Sequence, residues 1–218
     1  MNTKSWISFI INETESALSL YYSYLAFNEA LKDKVALRSA HKNGHFWLLH
    51  NGAIWRTLFL YLGRLSDDGR DAKSFSVFQR HCVKNISDFS KESFLERRSE
   101  ALSLNPRFLE NSEFPNEVTF SNLFSLTSKH NAFLRAECKT IRSKVYAHAI
   151  YTEEHEFHHL FKSVKFSEIE AALLAFWSVA IHLRESFYNA KTIKTDILSF
   201  HEKEDIYRST LRVLKREI

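Results

Sequence analysis

Arg142 and His148 stand six residues apart in the stretch Ala136-Glu137-Cys138-Lys139-Thr140-Ile141-Arg142-Ser143-Lys144-Val145-Tyr146-Ala147-His148-Ala149-Ile150. An arginine and a histidine at short range supply the two groups that metal-free, ribose-directed RNA cleavage requires. In that reaction the 2′-hydroxyl attacks the adjacent phosphate. A base must take the hydroxyl proton, and a cation must stabilise the charge that builds on the phosphorane-like transition state. An imidazole titrates near pH ~6.5 when unperturbed, so His148 offers both protonation states at neutrality. Arg142 stays charged, and its guanidinium grips phosphate oxygens in a fork. Lys144 adds positive charge between them. Arg135, Lys139 and Tyr146 are further candidates for holding RNA, the cations through its phosphates and the tyrosine by stacking on a base.

The segment is patterned as a helix, and helix geometry constrains the pair. At about 100° per residue, Arg142 and His148 lie roughly 120° apart around the axis and about 9 Å along it. Arg142 shares a face with Arg135, Tyr146 and Ala149, and His148 with Lys144, Glu137 and Ile141. One helix therefore does not aim both groups at one atom, although a long arginine can bend across. Glu137, about three turns before His148, can orient it or pair on the surface with Lys139 or Lys144.

Other histidine patterns compete with this one. Arg38 and His45 repeat the loose spacing, but Lys42-Asn43-Gly44 between them marks a helix break. In Glu153-Glu154-His155-Glu156-Phe157-His158-His159, His155 has the helical spacing of a metal pair with His158 or His159, and carboxylates stand by to complete a site. The competing reading there is a solvated polar turn with incidental histidines, and no metal or cofactor is expected. Glycine-rich phosphate loops are absent, which leaves nucleotide hydrolases of that class unsupported.

The wording Ile141-Arg142-Ser143-Lys144-Val145-Tyr146-Ala147-His148 resembles the signature of the HEPN superfamily, especially its abortive-infection, AbiU-type branch. A second resemblance lies upstream. Leu58-Phe59-Leu60-Tyr61-Leu62-Gly63-Arg64-Leu65-Ser66-Asp67, followed by Ser74-Phe75-Ser76-Val77, is similar to that branch's apolar helix with an Arg-Leu-x-Asp turn and a serine opening the next helix. Together the two span roughly residues 45 to 150. The resemblance implies a HEPN-like bundle acting as a metal-independent endoribonuclease that leaves a cyclic phosphate. It also implies a homodimer in which Arg142 and His148 of both chains face one cleft, with RNA as substrate and a cognate antitoxin as a further partner. A toxin or phage-defence role follows from the same source. Ser143 stands where many HEPN ribonucleases carry Asn, Asp or His. That residue keeps a second reading open, a catalytically inactive module binding RNA, nucleotide or a partner protein. A third reading is a metal-dependent hydrolase using His155–His159.

The elements that must position the motif are helices. The 218 residues hold only 4 Gly and 2 Pro, too few for the tight turns of a sandwich or barrel. The fold class expected is all-α, a multi-helix bundle with an additional C-terminal helix. Apolar content of 44% with 19 Phe supports one large domain over 1–218, with a core at about 14–190 and an extension at 191–218. Apolar spacing predicts helices at about 14–39, 45–65, 75–86, 90–102, 120–150, 166–189 and 197–218, with a loop around the prolines at 106 and 115. Asp71 or Ser74 is placed to cap the third. The second is apolar enough to be central, with His50 read as a hydrogen-bonded core or interface histidine. Arg97-Arg98 is read as lying on a solvated face.

A net charge of +4 and a pI near 9.0 are compatible with RNA as a partner. Cys82 and Cys138 have no paired spacing and suggest buried thiols in a reducing compartment. The apolar run Trp6 to Ile11 is too short for a signal peptide, and no window is read as reaching the length of a membrane span. The expectation is a cytoplasmic protein with no membrane partner.

Overall fold

In a computed structural model the chain is described over residues 1–69, 71–102, 109, 112–138, 141 and 164–216, and every regular element among them is helical. The order is α1 (Thr3–Ala30), α2 (Lys34–Lys42), α3 (Gly44–Leu65), α4 (Phe75–Lys84), a 3-10 turn (Ile86–Phe89), α5 (Lys91–Leu102), α6 (Glu117–Ser125), α7 (Ser128–Phe133), a π turn (Leu134–Cys138), α8 (Phe166–Asn189) and α9 (Lys203–Arg216). No strand occurs among the described residues, and the all-α expectation holds.

α1 begins eleven residues before the expected start at 14. Asn2 caps it by accepting from the Ser5 amide at 2.9 Å, and Trp6, Ile7, Ile10 and Ile11 extend the buried stripe at three- and four-residue steps. Thr14, which reads as an opening residue, sits inside the helix and turns its hydroxyl back to the Ile10 carbonyl at 2.7 Å. The helix also ends sooner than expected. Asp33 accepts from the Val35 and Ala36 amides and starts α2 as a separate element. Two backbone bonds to that carboxylate, with Lys215 close by, hold Asp33 below the usual carboxylate range.

α1 packs against α3, α8 and α9 and is the hub of the bundle. α8 supplies its largest core face: Ile169, Ala172, Leu173, Phe176 and Ala180 are fully buried, and Phe176 stacks on Phe75 at 4.2 Å. Each large side chain of this kind is worth roughly 1.5–3 kcal/mol when fully buried. Polar clasps fix the register. Tyr21 donates to the Phe166 carbonyl at 3.0 Å, Tyr22 to Glu170 at 2.7 Å, and the Trp177 indole to Glu15 at 3.1 Å. With 24 residues and a mean hydropathy of 1.4 in its most apolar window, α8 is long and apolar enough to cross a membrane, contrary to the sequence reading. Most of that window is packed inside the bundle, as in a core helix.

The tail differs from its expected form. Residues 190–202 form no helix but lie on α8, where the Leu198 amide donates to Ser178 at 2.8 Å and the His182 ring to the Asp196 carbonyl at 3.0 Å. α9 starts at Lys203 instead of Ile197 and folds back onto its own chain. Leu214 is fully buried in a cluster with Phe27, Ala30, Ala36, Ala40 and Trp47.

Candidate functional site

Over residues 120–138, the described part of the helix expected at 120–150, the chain is built in pieces. Asn116 and Thr119 form a reciprocal cap that starts α6 at Glu117. The chain breaks at Leu126–Thr127, where the Thr127 hydroxyl donates to the Phe124 carbonyl at 2.8 Å and accepts from the Gln79 amide at 2.9 Å. α7 follows, then the π turn. Arg142, His148, Lys144, Lys139 and Tyr146, with Ser143, lie outside the described residues, as do His155, His158 and His159. No histidine, cysteine and carboxylate cluster able to hold a metal occurs among the described residues.

Arg135, Glu137, Cys138 and Ile141 of the motif stretch are described. Arg135 is exposed, and its guanidinium donates to the Ser76 hydroxyl at 2.9 Å, tying the π turn to the first turn of α4. Cys138 and Ile141 are buried. Burial pushes the Cys138 thiol up to about 12, so it stays protonated and offers no nucleophile at neutral pH. Cys82 is raised further by the same cause. The π turn corrects one expectation. The face shared by Arg135 and Arg142 assumed α-helix throughout, whereas residues 134–138 close i to i+5 bonds in a wider turn. The rule of about 100° per residue does not apply across them. Single π turns recur at functional sites.

His130, in α7, carries no sequence signal beyond its spacing of four from Leu134. It is 5% exposed, and its Nδ1 has no hydrogen-bond partner. Burial first, then Lys129, depresses its pKa against an opposing Glu168, which keeps the ring neutral.

The upstream stretch that carries the second resemblance serves the chain's own packing. Leu58, Phe59, Leu62 and Leu65 bury, while Arg64 reaches Glu13 of α1 at 2.9 Å and lies over the Tyr61 ring at 4.6 Å. Burial raises the Glu13 carboxyl above its ordinary value, and Arg64 opposes that rise. Asp67 accepts from the Gly69 amide at 2.9 Å and turns the chain; Ser74 then caps α4 through the Val77 amide. This is the connection that sets Ser76 beneath Arg135.

The other sequence candidates resolve plainly. Arg38 belongs to α2 and exposed His45 to α3, with Asn43 out of helical conformation between them. His50 is exposed, not in the core, and stacks on Phe46 at 5.9 Å. Arg97 and Arg98 are more than solvated charges. Arg97 donates to the Asp88 and Phe187 carbonyls at 2.8 and 3.1 Å, and Arg98 to the Tyr188 carbonyl at 3.1 Å, so the pair neutralises the carbonyl end of α8. These residues line a cavity of about 600 Å³ with Thr3 and Asp88. There the Thr3 hydroxyl donates to Asp88 and accepts from the His81 ring at 3.0 Å, a closed network joining α1, α4 and the 3-10 turn. Burial lowers the His81 pKa.

The all-helical bundle built on α1 is consistent with a HEPN-like fold. Residues 2–207 match the HEPN AbiU2 family, described as AbiU2, and the chain belongs to that family of abortive-infection proteins. No curated protein and no solved structure matches the chain.

Proposed function

We propose that this protein is a metal-independent endoribonuclease of HEPN type, a toxin or phage-defence effector of abortive infection. The observation that supports this reading most is that Arg142 and His148 fall inside the matched region 2–207 of an abortive-infection HEPN family. His148 removes the proton from a ribose 2′-hydroxyl, whose oxygen attacks the neighbouring phosphorus. The bond to the 5′-oxygen breaks, that oxygen takes a proton, and a 2′,3′-cyclic phosphate remains. Arg142 holds the charged phosphate through the transition state. Lys144, Arg135, Lys139 and Tyr146 bind the RNA. The chain acts as one domain in a cytoplasmic homodimer, with both copies contributing Arg142 and His148 to a shared cleft, and a cognate antitoxin restrains it.

The test incubates purified protein with mixed RNA in chelator. Cleavage is expected to survive chelation, to stop on 2′-deoxy substitution at the scissile nucleotide, and to fall at least ~100-fold in His148→Ala and in Arg142→Ala. Growth should slow on expression of the wild type and not of His148→Ala. Ser143 favours one alternative, a catalytically inactive module; RNA binding without cleavage under every condition would establish it. Activity restored by metal and indifferent to His148 would move attention to His155–His159.

A further inference from the structure

We infer that the groove between α4 and α6–α7 binds single-stranded RNA, its phosphates held by Arg80 and Lys84 and a base stacked on Phe124. This rests on the ribonuclease reading only for the identity of the strand. The groove has a volume of about 550 Å³ and lies open to solvent. One wall is the face of α4 that presents Arg80, Val83 and Lys84; the other carries the hydroxyls of Ser121, Ser125 and Ser128 beside the half-buried Phe124 ring.

The described groove lining carries two cations and no carboxylate. Several cations elsewhere sit in ion pairs: Arg64 with Glu13, Lys191 with Glu185, Lys203 with Glu170, Arg208 with Asp205 and Lys215 with Asp33. Arg80 and Lys84 are exposed and have no ion-pair partner among the described residues, and none of the described groove-lining residues is acidic. Two unneutralised cations facing serine hydroxyls form an anion-binding surface, and the adjacent ring adds a stacking platform. An isolated phosphate would not use the ring; an acidic peptide would not need it.

Spacing gives the groove a direction. Ser76, Arg80 and Lys84 stand at four-residue steps on one face of α4, about 6 Å apart along the axis. Ser76 is the residue that holds Arg135, which precedes Arg142 by seven residues. A strand lying along α4 therefore meets Lys84, then Arg80, then Arg135. The break at Leu126–Thr127 and the Gln79–Thr127 bond hold α6 and α7 against α4 and keep the groove open.

The test measures binding of a short fluorescein-labelled single-stranded RNA by anisotropy, in a His148→Ala background so that the probe stays intact. Arg80→Gln/Lys84→Gln should lower the slope of log K against log salt by about 1.4, two phosphates at about 0.7 each. A fourfold rise in salt then costs the parent about sevenfold more affinity than the double variant. Phe124→Leu should weaken binding several-fold at constant slope, and Lys194→Gln, outside the groove, should change nothing. Both cations are exposed, so melting curves of the double variant should overlay the parent. An unchanged salt slope overturns the groove, even if the wild type cleaves RNA. A reduced slope in a protein that never cleaves supports the groove while removing the nuclease. Equal affinity for RNA and for a poly-glutamate peptide would also overturn it.

Discussion

α3 is one continuous helix with two unlike halves. Beyond its midpoint Leu58, Phe59 and Leu62 are fully buried, against α1 and the π turn. Before it Phe46, Leu48 and Leu49 are 58%, 73% and 60% exposed, although the sequence there is just as apolar. Trp47 is the anchor of the first half, at 5.2 Å from Phe27 and in the small cluster with Leu214 of α9. Apolar periodicity thus identifies the helix, but burial depends on what arrives opposite each turn. The second half is covered because α1 and the π turn both pack there. The first half meets the end of α1, Ala36 and Ala40 of α2 and the edge of α9 around Trp47.

The largest expected effect tests that difference directly. Leu58→Ala or Phe59→Ala should cost roughly 2–5 kcal/mol by denaturant unfolding, whereas Leu48→Ala or Leu49→Ala should stay within about 0.5 kcal/mol. Equal costs would mean the first half is covered in solution. A polar version sharpens it: Leu62→Lys should prevent folding, and Leu49→Lys should leave the unfolding midpoint unchanged.

Next comes the junction at the end of α3. Arg64→Ala leaves the Glu13 carboxylate without its cation and should cost about 1–2 kcal/mol at neutral pH. The pH dependence has a definite sign. Burial holds the Glu13 carboxyl above its ordinary 4.5, so the folded chain binds that proton more tightly than the unfolded chain. Stability from this group is present at low pH and is lost as pH rises through its folded titration. Removing Arg64 raises the carboxyl further. The variant's deficit should therefore be largest near neutrality and shrink on acidification as Glu13 takes up its proton, as read from unfolding across pH. A deficit that grows on acidification would refute the placement of Glu13.

Smaller effects follow along the chain. Ala190, at the end of α8, takes a left-handed conformation with φ 47°, and Ala190→Gly should raise stability by about 1 kcal/mol. Ser74→Ala, which removes the cap of α4, should cost about 1 kcal/mol. It should also loosen Arg135, visible as faster amide exchange over 134–138, because Ser76 sits on the turn that Ser74 starts.

How much of this is legible in the sequence varies by element. α4, α5 and α8 stand close to their expected bounds, since Ser74, Ser90 and the apolar run from Phe166 are local signals. The start of α1 and the break at Asp33 depart from expectation because Thr14 and Asp33 are each compatible with a cap and with a helix interior; only Asn2 and the paired amides at 35 and 36 decide between them. In the site, Arg135 is legible as a cation but its tie to Ser76 is not, being a contact across 59 positions. Arg80 and Lys84 carry no pattern at all until α6 and α7 are set opposite them.

Composition and short-range spacing were enough to determine that this chain is helical and where α3, α4, α5 and α8 begin. Those properties depend on caps, turn residues and periodicity, whose energetics act within a few residues. The tertiary structure alone decided which half of α3 is covered, that the approach to the motif is a π turn, and which cations line a groove without a carboxylate. Each of those depends on desolvation and charge pairing between groups far apart in the chain, and such terms exist only once the helices have packed.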